Sequence, residues 1–373
     1  MTTLGVGIIG AGNISTAYLK LAPMFKGLEM RAIADINMDA ATTRAAEHNV
    51  RASSVEDMLA ADDIDVVVNL TIPAAHFEVS SAVLKAGKHV YSEKPFVLTL
   101  EEGAAIKNLA DAGGLRVGSA PDTFLGGAHQ QARALIDDGA VGTITSGTAF
   151  VMSHGMEHWH PNPDFFFLPG AGPVLDIGPY YVTNLIQLIG PVSRVVSVAK
   201  TPAAKRTIAS EPRRGEEIPV ETPTTIHAIL DFASGAVVTL VGSWDVWGKH
   251  GHSPMELYGS EGSAYLPDPN FFAGDLRIGG VDQDPTSVEV WDHPFSKPND
   301  GERANYRVSG LADMAAAIAE GRPHRCSLDL ALHAVEVMTG ILRSGETGTF
   351  VEMTTTCDRP APLGPDAARA LLA

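Results

Sequence analysis

The 373-residue sequence predicts an α/β protein in two parts: a doubly wound parallel sheet, then an α+β region with a large, mostly antiparallel open sheet. Three observations predict it. The first third alternates short β-branched runs with helical stretches, the pattern of right-handed βαβ units. The run "DVVVNL" (65–70) is apolar without alternation, as a parallel strand covered on both faces requires. Beyond about residue 120 the strands lengthen and alternate, and "DFASGAVV" and "YGSEGSAY" set glycine-containing hairpin turns between successive runs. The boundary falls between residues 1–121 and 122–373.

Taken in order, "VGIIG" (6–10) is a buried strand followed by a helix through Leu21. "EMRAIAD" is a second strand ending at Asp35, and an alanine-rich helix follows. "DVVVNL" is the third strand, and "HFEVSSAVLKAG" repeats apolar positions at helical spacing before closing on Gly87. "KHVYSEKP" is the fourth strand. Thr99 with Glu102 forms a capping box for the next helix, which ends near "DAGG", and "LRVGSAP" is the fifth strand. A helix then covers "GGAHQQARALIDDG". Strands follow at "TITSGTAFVM", "VSRVVSVAK", "TTIHAILDF", "AVVTLVGSW", "PMELYGS" and "GSAYLP". A helix over 176–190 interrupts them, and two more lie near 308–319 and 328–343. The stretch Pro202–Pro223, rich in proline, arginine and glutamate, reads as a solvated excursion.

Composition narrows the function classes. With 44 acidic against 27 basic residues the formal charge is -17, so no basic surplus exists to neutralise nucleic-acid phosphates or an anionic membrane. No run approaches the ~18 apolar residues of a membrane span. The start "MTTLGVGIIG" lacks the basic and apolar regions of a signal peptide, and a cytoplasmic location is expected. Cys326 and Cys357 lie far apart with no CxxC spacing, which fits reduced structural thiols.

"GIIGAGNIS" sets Gly10 and Gly12 after the first strand and before a helix. Gly10 permits the tight turn, and Gly12 lets a pyrophosphate approach the backbone at the helix N-terminus, beside Asn13 and Ile14. Ser15 stands where the fingerprint has its third glycine. Asp35, at the end of the next strand, is placed to accept hydrogen bonds from both ribose hydroxyls of a dinucleotide. Its charge repels a 2′-phosphate, and the following "INMD" has no arginine to hold one, so NAD is expected over NADP. These features define an N-terminal Rossmann dinucleotide-binding domain. In such a domain the residues after the strands face the cofactor crevice: Thr71, Pro73 and His76 after the third, Glu93 and Lys94 after the fourth. Lys94 is thereby aimed at the nicotinamide edge, and Pro95 restricts its backbone.

Together "GIIGAGNIS", Asp35, "HFEVSSAVLKAGKHVYSEKP", "GPVLDIGPYYVTNLIQLIGPV" and "SGETGTFVEM" resemble the glucose-fructose oxidoreductase / inositol dehydrogenase (Gfo/Idh/MocA) family over nearly the whole chain. The resemblance implies NAD(P)-dependent oxidation or reduction of a sugar, a sugar derivative or an inositol-like cyclitol. It also implies a cis Lys94–Pro95 bond, and a homodimer or homotetramer formed through the open sheet. The motif lysine is Lys94 and the aspartate is Asp176. Tyr180 stands where many members have histidine, and Thr183, followed by Asn184, stands where a further acid is usual.

Oxidising a secondary alcohol needs a base for the hydroxyl proton. A free tyrosine, with a pKa of about 10, is a poor base at neutral pH, but a neighbouring ammonium favours the phenolate. Tyr180 is therefore expected as the acid/base, Lys94 as the group that tunes it and binds the reacting oxygen, and Asp176 as the orienting carboxylate. Four residues apart, positions 176 and 180 would share a helix face. The alternative is that Lys94 is itself the base.

"HGMEHWHPNPDFFF" clusters His154, His158 and His160, and His154 and His158 would share a face if helical. Gly155, Pro161 and Pro163 favour irregular backbone and no HExxH occurs, so no metal is expected. His158 and Trp159 are instead candidates to hydrogen-bond to and stack on a sugar. Trp244, Asp245 and Trp247 in "GSWDVWGKHGH" divide between core and sugar-facing surface. Two competing functions remain open on this fold: NAD-dependent glycoside hydrolysis, and a sugar-sensing regulator without turnover.

Overall fold

A computed structural model describes residues 3–373, in two compact units. The first comprises the chain up to Gly127 together with Asp292–Val335 and Pro360–Ala373; the second comprises Ala128–Trp291 and Glu336–Arg359.

The first unit is built on six strands: β1 (Leu4–Ile9), β2 (Leu28–Ala34), β3 (Arg51–Ser53), β4 (Val66–Asn69), β5 (His89–Ser92) and β6 (Val117–Ser119). All pair in parallel, in the order β3-β2-β1-β4-β5-β6. Helices α1 (Asn13–Leu21), α2 (Met38–His48), α3 (Val55–Ala60), α4 (His76–Lys85) and α5 (Leu100–Gly113) connect them. Five strands were legible in the sequence. The sixth, β3, is only "RAS", too short for any periodic signal. β4 is buried at all four residues, as its unbroken valines require. The Thr99–Glu102 capping box is present with both of its hydrogen bonds. The strand order reverses between β1 and β4, the switch point at which open α/β sheets hold their ligands.

The second unit contains α6 (Gly127–Asp137), which begins at its boundary, and then β7 (Ile144–Met152), α7 (Gly172–Asp176), α8 (Gly178–Ile189) and β8 (Val192–Lys200). Next come β9 (Lys205–Thr207), β10 (Glu217–Pro219), β11 (Thr225–Phe232), β12 (Val237–Ser243), β13 (Met255–Gly259), β14 (Gly262–Leu266), β15 (Arg277–Gly280), β16 (Thr286–Ser287) and β17 (Val351–Glu352). Nine strands form one sheet, β16-β15-β14-β13-β7-β12-β11-β8-β17. The β11–β12 and β13–β14 hairpins stand as read from their turns. Among the described residues of this sheet only β7 and β12 pair in parallel, so their C-terminal ends share one edge. α7 lies against β12: a Cβ on Gly242 would come 3.5 Å from Val174 and 3.6 Å from Pro173. Outward positions along β8, β11 and β12 leave Val198, Ile229 and Val237 exposed, so the sheet is open on that side.

Two expectations are corrected here. The stretch Pro202–Pro223 is not a solvated excursion. Its β9 and β10 form a two-stranded ribbon whose alternate residues point inward. Ile208, Ile218 and Val220 join Phe167 and Trp244 in a buried cluster, while Lys205 and Glu217 pair on the outside at 2.7 Å. The charged residues hid a period-two pattern. The single helix over 176–190 is also divided, at Ile177. Pro179 has no N–H to give the carbonyl four residues back, so α7 closes at Asp176 and α8 restarts. Asp176 and Tyr180 thus belong to two consecutive helices rather than to one face of one helix.

Both cysteines are free and buried. Among the described residues no helix is long and apolar enough to cross a membrane.

Candidate active site

The glycine turn follows directly from β1. Gly10 has φ +111°, and a Cβ there would sit 2.5 Å from the Leu70 carbonyl oxygen, so only glycine is accommodated. At Gly12 a Cβ would meet nothing within 4 Å, so the turn is open to close approach. Gly12 is the N-cap of α1; no side chain caps the helix and its first turn carries no acid. The N–H groups at Asn13 and Ile14 therefore begin a helix suited to an anion. Ser15 fills the third glycine position without penalty: it is fully buried and its hydroxyl donates to the Gly12 carbonyl at 2.6 Å.

Asp35 follows β2. Its Oδ2 accepts the Ala11 N–H at 2.7 Å, and Oδ1 accepts the Asn37 N–H at 2.8 Å. The carboxylate is thus fastened to the glycine turn, and each oxygen keeps acceptor capacity for a hydroxyl. Open turn, uncapped helix and anchored acid together fit a dinucleotide, whose pyrophosphate the turn would hold and whose ribose Asp35 would hold.

After β4, Thr71 is fixed by Asn69, a residue the sequence reading passed over. Asn69 is fully buried; its Oδ1 accepts from the Thr71 N–H and hydroxyl, and its Nδ2 donates to the His76 carbonyl and the Ser80 hydroxyl. A lone asparagine ending an all-valine strand was the available signal. Pro73 opens the short turn that leads into α4. His76 is completely buried, with Nδ1 2.7 Å from the Pro95 carbonyl oxygen and Nε2 3.0 Å from that of Thr71. Burial holds its pKa below the usual imidazole value. Its ring is engaged by backbone at both nitrogens, so it braces Thr71 and Pro95 rather than presenting a nitrogen outward.

After β5, the Glu93 N–H donates to the Asn69 carbonyl, Glu93 Oε2 accepts the Lys94 N–H at 3.0 Å, and Oε1 accepts the Tyr18 hydroxyl at 3.3 Å. The Lys94–Pro95 bond is cis. Behind this motif lies Asp122, which the sequence reading did not single out. Its Oδ2 accepts from the Ser309 hydroxyl and the Gly310 N–H, and burial pushes its pKa up to about 6 against the pull of those hydrogen bonds and of Arg307. Nothing local marks it, because Ser309, Gly310 and Arg307 arrive from some 190 residues away.

In the second unit Asp176 is half-buried at the end of α7, and Tyr180 is buried in the first turn of α8, its N–H bonded to the Ile177 carbonyl at 3.1 Å. Thr183 and Asn184, the departures from the family pattern, are buried in the body of α8. Asn184 Nδ2 donates to His129 Nδ1 at 3.3 Å, and its Oδ1 accepts from Gln187 at 3.0 Å. His129 Nε2 faces the Phe271 carbonyl at 2.9 Å, and burial lowers its pKa to about 4, consistent with a neutral ring protonated on Nε2.

His158 and Trp159 sit in an irregular loop after β7, both exposed. His154 and His158 share no helix face, yet their ring centroids lie 3.8 Å apart with the planes tilted by 32°. Among the described residues no cluster of histidine, cysteine and acid could hold a metal. The loop is fastened by groups no sequence pattern announced. Arg206, on β9, donates to Glu157 Oε1 at 3.1 Å, to Asp245 Oδ1 at 2.5 Å and to the Trp244 carbonyl at 3.0 Å.

A glycine turn at the sheet's switch point, with an acid anchored beside it, defines the first unit as the dinucleotide-binding domain of an oxidoreductase. Comparison with known proteins agrees. A family model described as oxidoreductase family, NAD-binding Rossmann fold, matches residues 4–120, and a GFO/IDH/MocA C-terminal domain model matches residues 129–265. The chain belongs to the Gfo/Idh/MocA family of oxidoreductases. It is 28% identical over 298 residues to levoglucosan dehydrogenase of Pseudarthrobacter phenanthrenivorans, covering 70% of this chain and 73% of that one. It is 24% identical over 361 residues to D-xylose 1-dehydrogenase (NADP(+)) 2 of Haloferax volcanii, covering 93% and 99%. Among solved structures, levoglucosan dehydrogenase in complex with NADH and levoglucosan superposes with a TM-score of 0.81 at 23% identity, covering 95% of this chain and 100% of that one, a likeness of fold.

Proposed function

We propose that this protein is an NAD-dependent dehydrogenase that oxidises a secondary alcohol on a sugar, sugar derivative or inositol-like cyclitol. The observation that carries the NAD assignment is the Asp35 carboxylate, fastened to the Ala11 and Asn37 N–H groups where a ribose would lie. A 2′-phosphate there would meet a fixed negative charge. The relatives named above act on sugars by their names, and one of them is named for NADP.

Bound NAD supplies the hydride acceptor. The chain's own residues supply the proton chemistry and the orientation. Tyr180 takes the proton of the reacting hydroxyl, Lys94 offers its ammonium to a substrate oxygen, and Asp176 accepts a hydrogen bond that orients the substrate or the lysine. His158 and Trp159, exposed on their loop, are proposed substrate contacts. Thr71, Pro73, His76 and Glu93 shape the wall after β4 and β5 that the nicotinamide would meet, with His76 acting through the backbone it braces. We also propose that the open sheet face carrying Val198, Ile229 and Val237 joins subunits into a homodimer or homotetramer; a monomeric mass by light scattering would refute this.

The test is a panel of sugars, anhydrosugars and cyclitols, each assayed with NAD and with NADP for reduced cofactor. Net NADH with at least one alcohol is expected. Bond cleavage without net NADH would favour the hydrolase, and binding without either would favour the sensor.

A further inference from the structure

The second unit holds an open, tryptophan- and histidine-lined cleft whose lining includes neither the cofactor turn nor Asp176 or Tyr180. It lies where the loops after β7 and β12 leave the same edge of the sheet. The cavity, about 370 Å³, is lined by Ser153, His154, Val246, Trp247, Lys249 and His250.

Trp247 is 69% exposed, yet its ring is held on two sides. The Arg206 guanidinium lies over it at 5.0 Å from the ring centroid, and His154 meets it edge-on at 6.1 Å, with the His158 ring against His154 at a 32° tilt. Arg206 is itself only 4% exposed. Three acceptors from two segments hold its position: Glu157 before it in the chain, and Trp244 and Asp245 after it. Asp245 Oδ2 also accepts from the Thr224 and Thr225 hydroxyls at 2.7 and 2.6 Å. Moving the guanidinium would leave two carboxylates without their cation, a heavy penalty at that depth. An ion triad in which Arg206 and Glu157 are buried and Asp245 is half-buried thus holds an indole that folding by itself does not need, since most of that ring stays in water.

An exposed indole held by Arg206 and His154, in a cleft also lined by a hydroxyl, a second imidazole and an ammonium, matches one ligand chemistry. The C–H face of a sugar ring stacks on the indole while its hydroxyls hydrogen-bond to the surrounding polar groups. We propose that this cavity is a carbohydrate subsite, with Trp247 as its platform and Arg206 as the positioning residue that holds the platform. The ligand class is an uncharged sugar ring. The proposal rests on the reading that the enzyme acts on sugars, and it extends that reading to residues outside the reaction centre.

The test measures binding apart from turnover. Full-length protein saturated with NADH is titrated calorimetrically with D-xylose, levoglucosan and myo-inositol; wild type is compared with Trp247→Ala, Trp247→Phe and Arg206→Lys, and thermal melts verify folding. Trp247→Ala is expected to weaken binding of the preferred ring about tenfold, the scale of losing one stacked apolar face, with Trp247→Phe within about threefold of wild type. Arg206→Lys should weaken sugar binding while leaving NADH affinity unchanged, which general loosening of the fold would not do. Unchanged sugar affinity in Trp247→Ala, or no heat with any of the three sugars in the wild type, overturns the subsite. Tryptophan-dependent binding without oxidation of any sugar would uphold the subsite and refute the dehydrogenase reading. Oxidation with KM unaltered in Trp247→Ala would do the reverse.

Discussion

The His76 imidazole bridges two backbone carbonyls, with Nδ1 2.7 Å from Pro95 and Nε2 3.0 Å from Thr71. A neutral ring has one N–H for these two acceptors, so one contact is a hydrogen bond and the other sets a bare nitrogen against an oxygen. The ring therefore spaces the turn after β4 from the segment that carries Lys94. His76→Ala should cost about 1–3 kcal/mol in urea denaturation, the penalty for stranding a buried polar group. It should also raise KM for NAD more than KM for substrate. Equal increases in both would show that His76 supports the fold in general and not the cofactor wall.

On the proposed reading Asp35 sets the cofactor preference. Asp35→Ser should raise KM for NAD by about 10- to 100-fold through loss of hydrogen bonds to a charged acceptor, and should narrow the preference for NAD over NADP. Steady-state kinetics with both cofactors measure this. An unaltered NAD/NADP ratio would remove the argument from charge.

In the proposed reaction Tyr180 and Lys94 divide the proton chemistry. Tyr180→Phe keeps the ring that α8 buries, so melting should change little while kcat falls by roughly 10²–10⁴-fold. If kcat is nearly retained, the base is Lys94, and Lys94→Met should then carry the whole loss.

Two buried groups give stability opposing pH dependences. His129 has its pKa lowered to about 4. Its contribution is complete above the unfolded value near 6.5 and is lost as pH falls toward 4, roughly 3 kcal/mol in all. Asp122 has its pKa raised to about 6. Its contribution is complete below the unfolded value near 3.9 and is lost as pH rises through 6, again by roughly 3 kcal/mol. Asp122→Asn should therefore gain on the wild type as pH rises from 4 to 7. Urea midpoints across that range measure it, and parallel curves for the two proteins would contradict the burial of a protonated Asp122.

The sequence by itself determined what depends on residues a few positions apart. The Gly10–Gly12 turn, the Thr99–Glu102 capping box and the two hairpin turns were all readable, since backbone sterics and local hydrogen bonds act over that range. So was the family, because its motifs are contiguous. Pro179 was also in plain view, and its missing N–H is a local cause of the helix break that the spacing of Asp176 and Tyr180 concealed. Only the tertiary structure decided the parallel pairing of β7 with β12, the inward turn of Arg206 and the pKa of Asp122. The reason is common to all three. A strand's partner, or a buried charge's environment, is set by groups brought from far along the chain, as Asp245 and Glu157 are brought to Arg206 from 39 and 49 residues away. Without those carboxylates an arginine in a polar stretch belongs in water; with them it is worth burying.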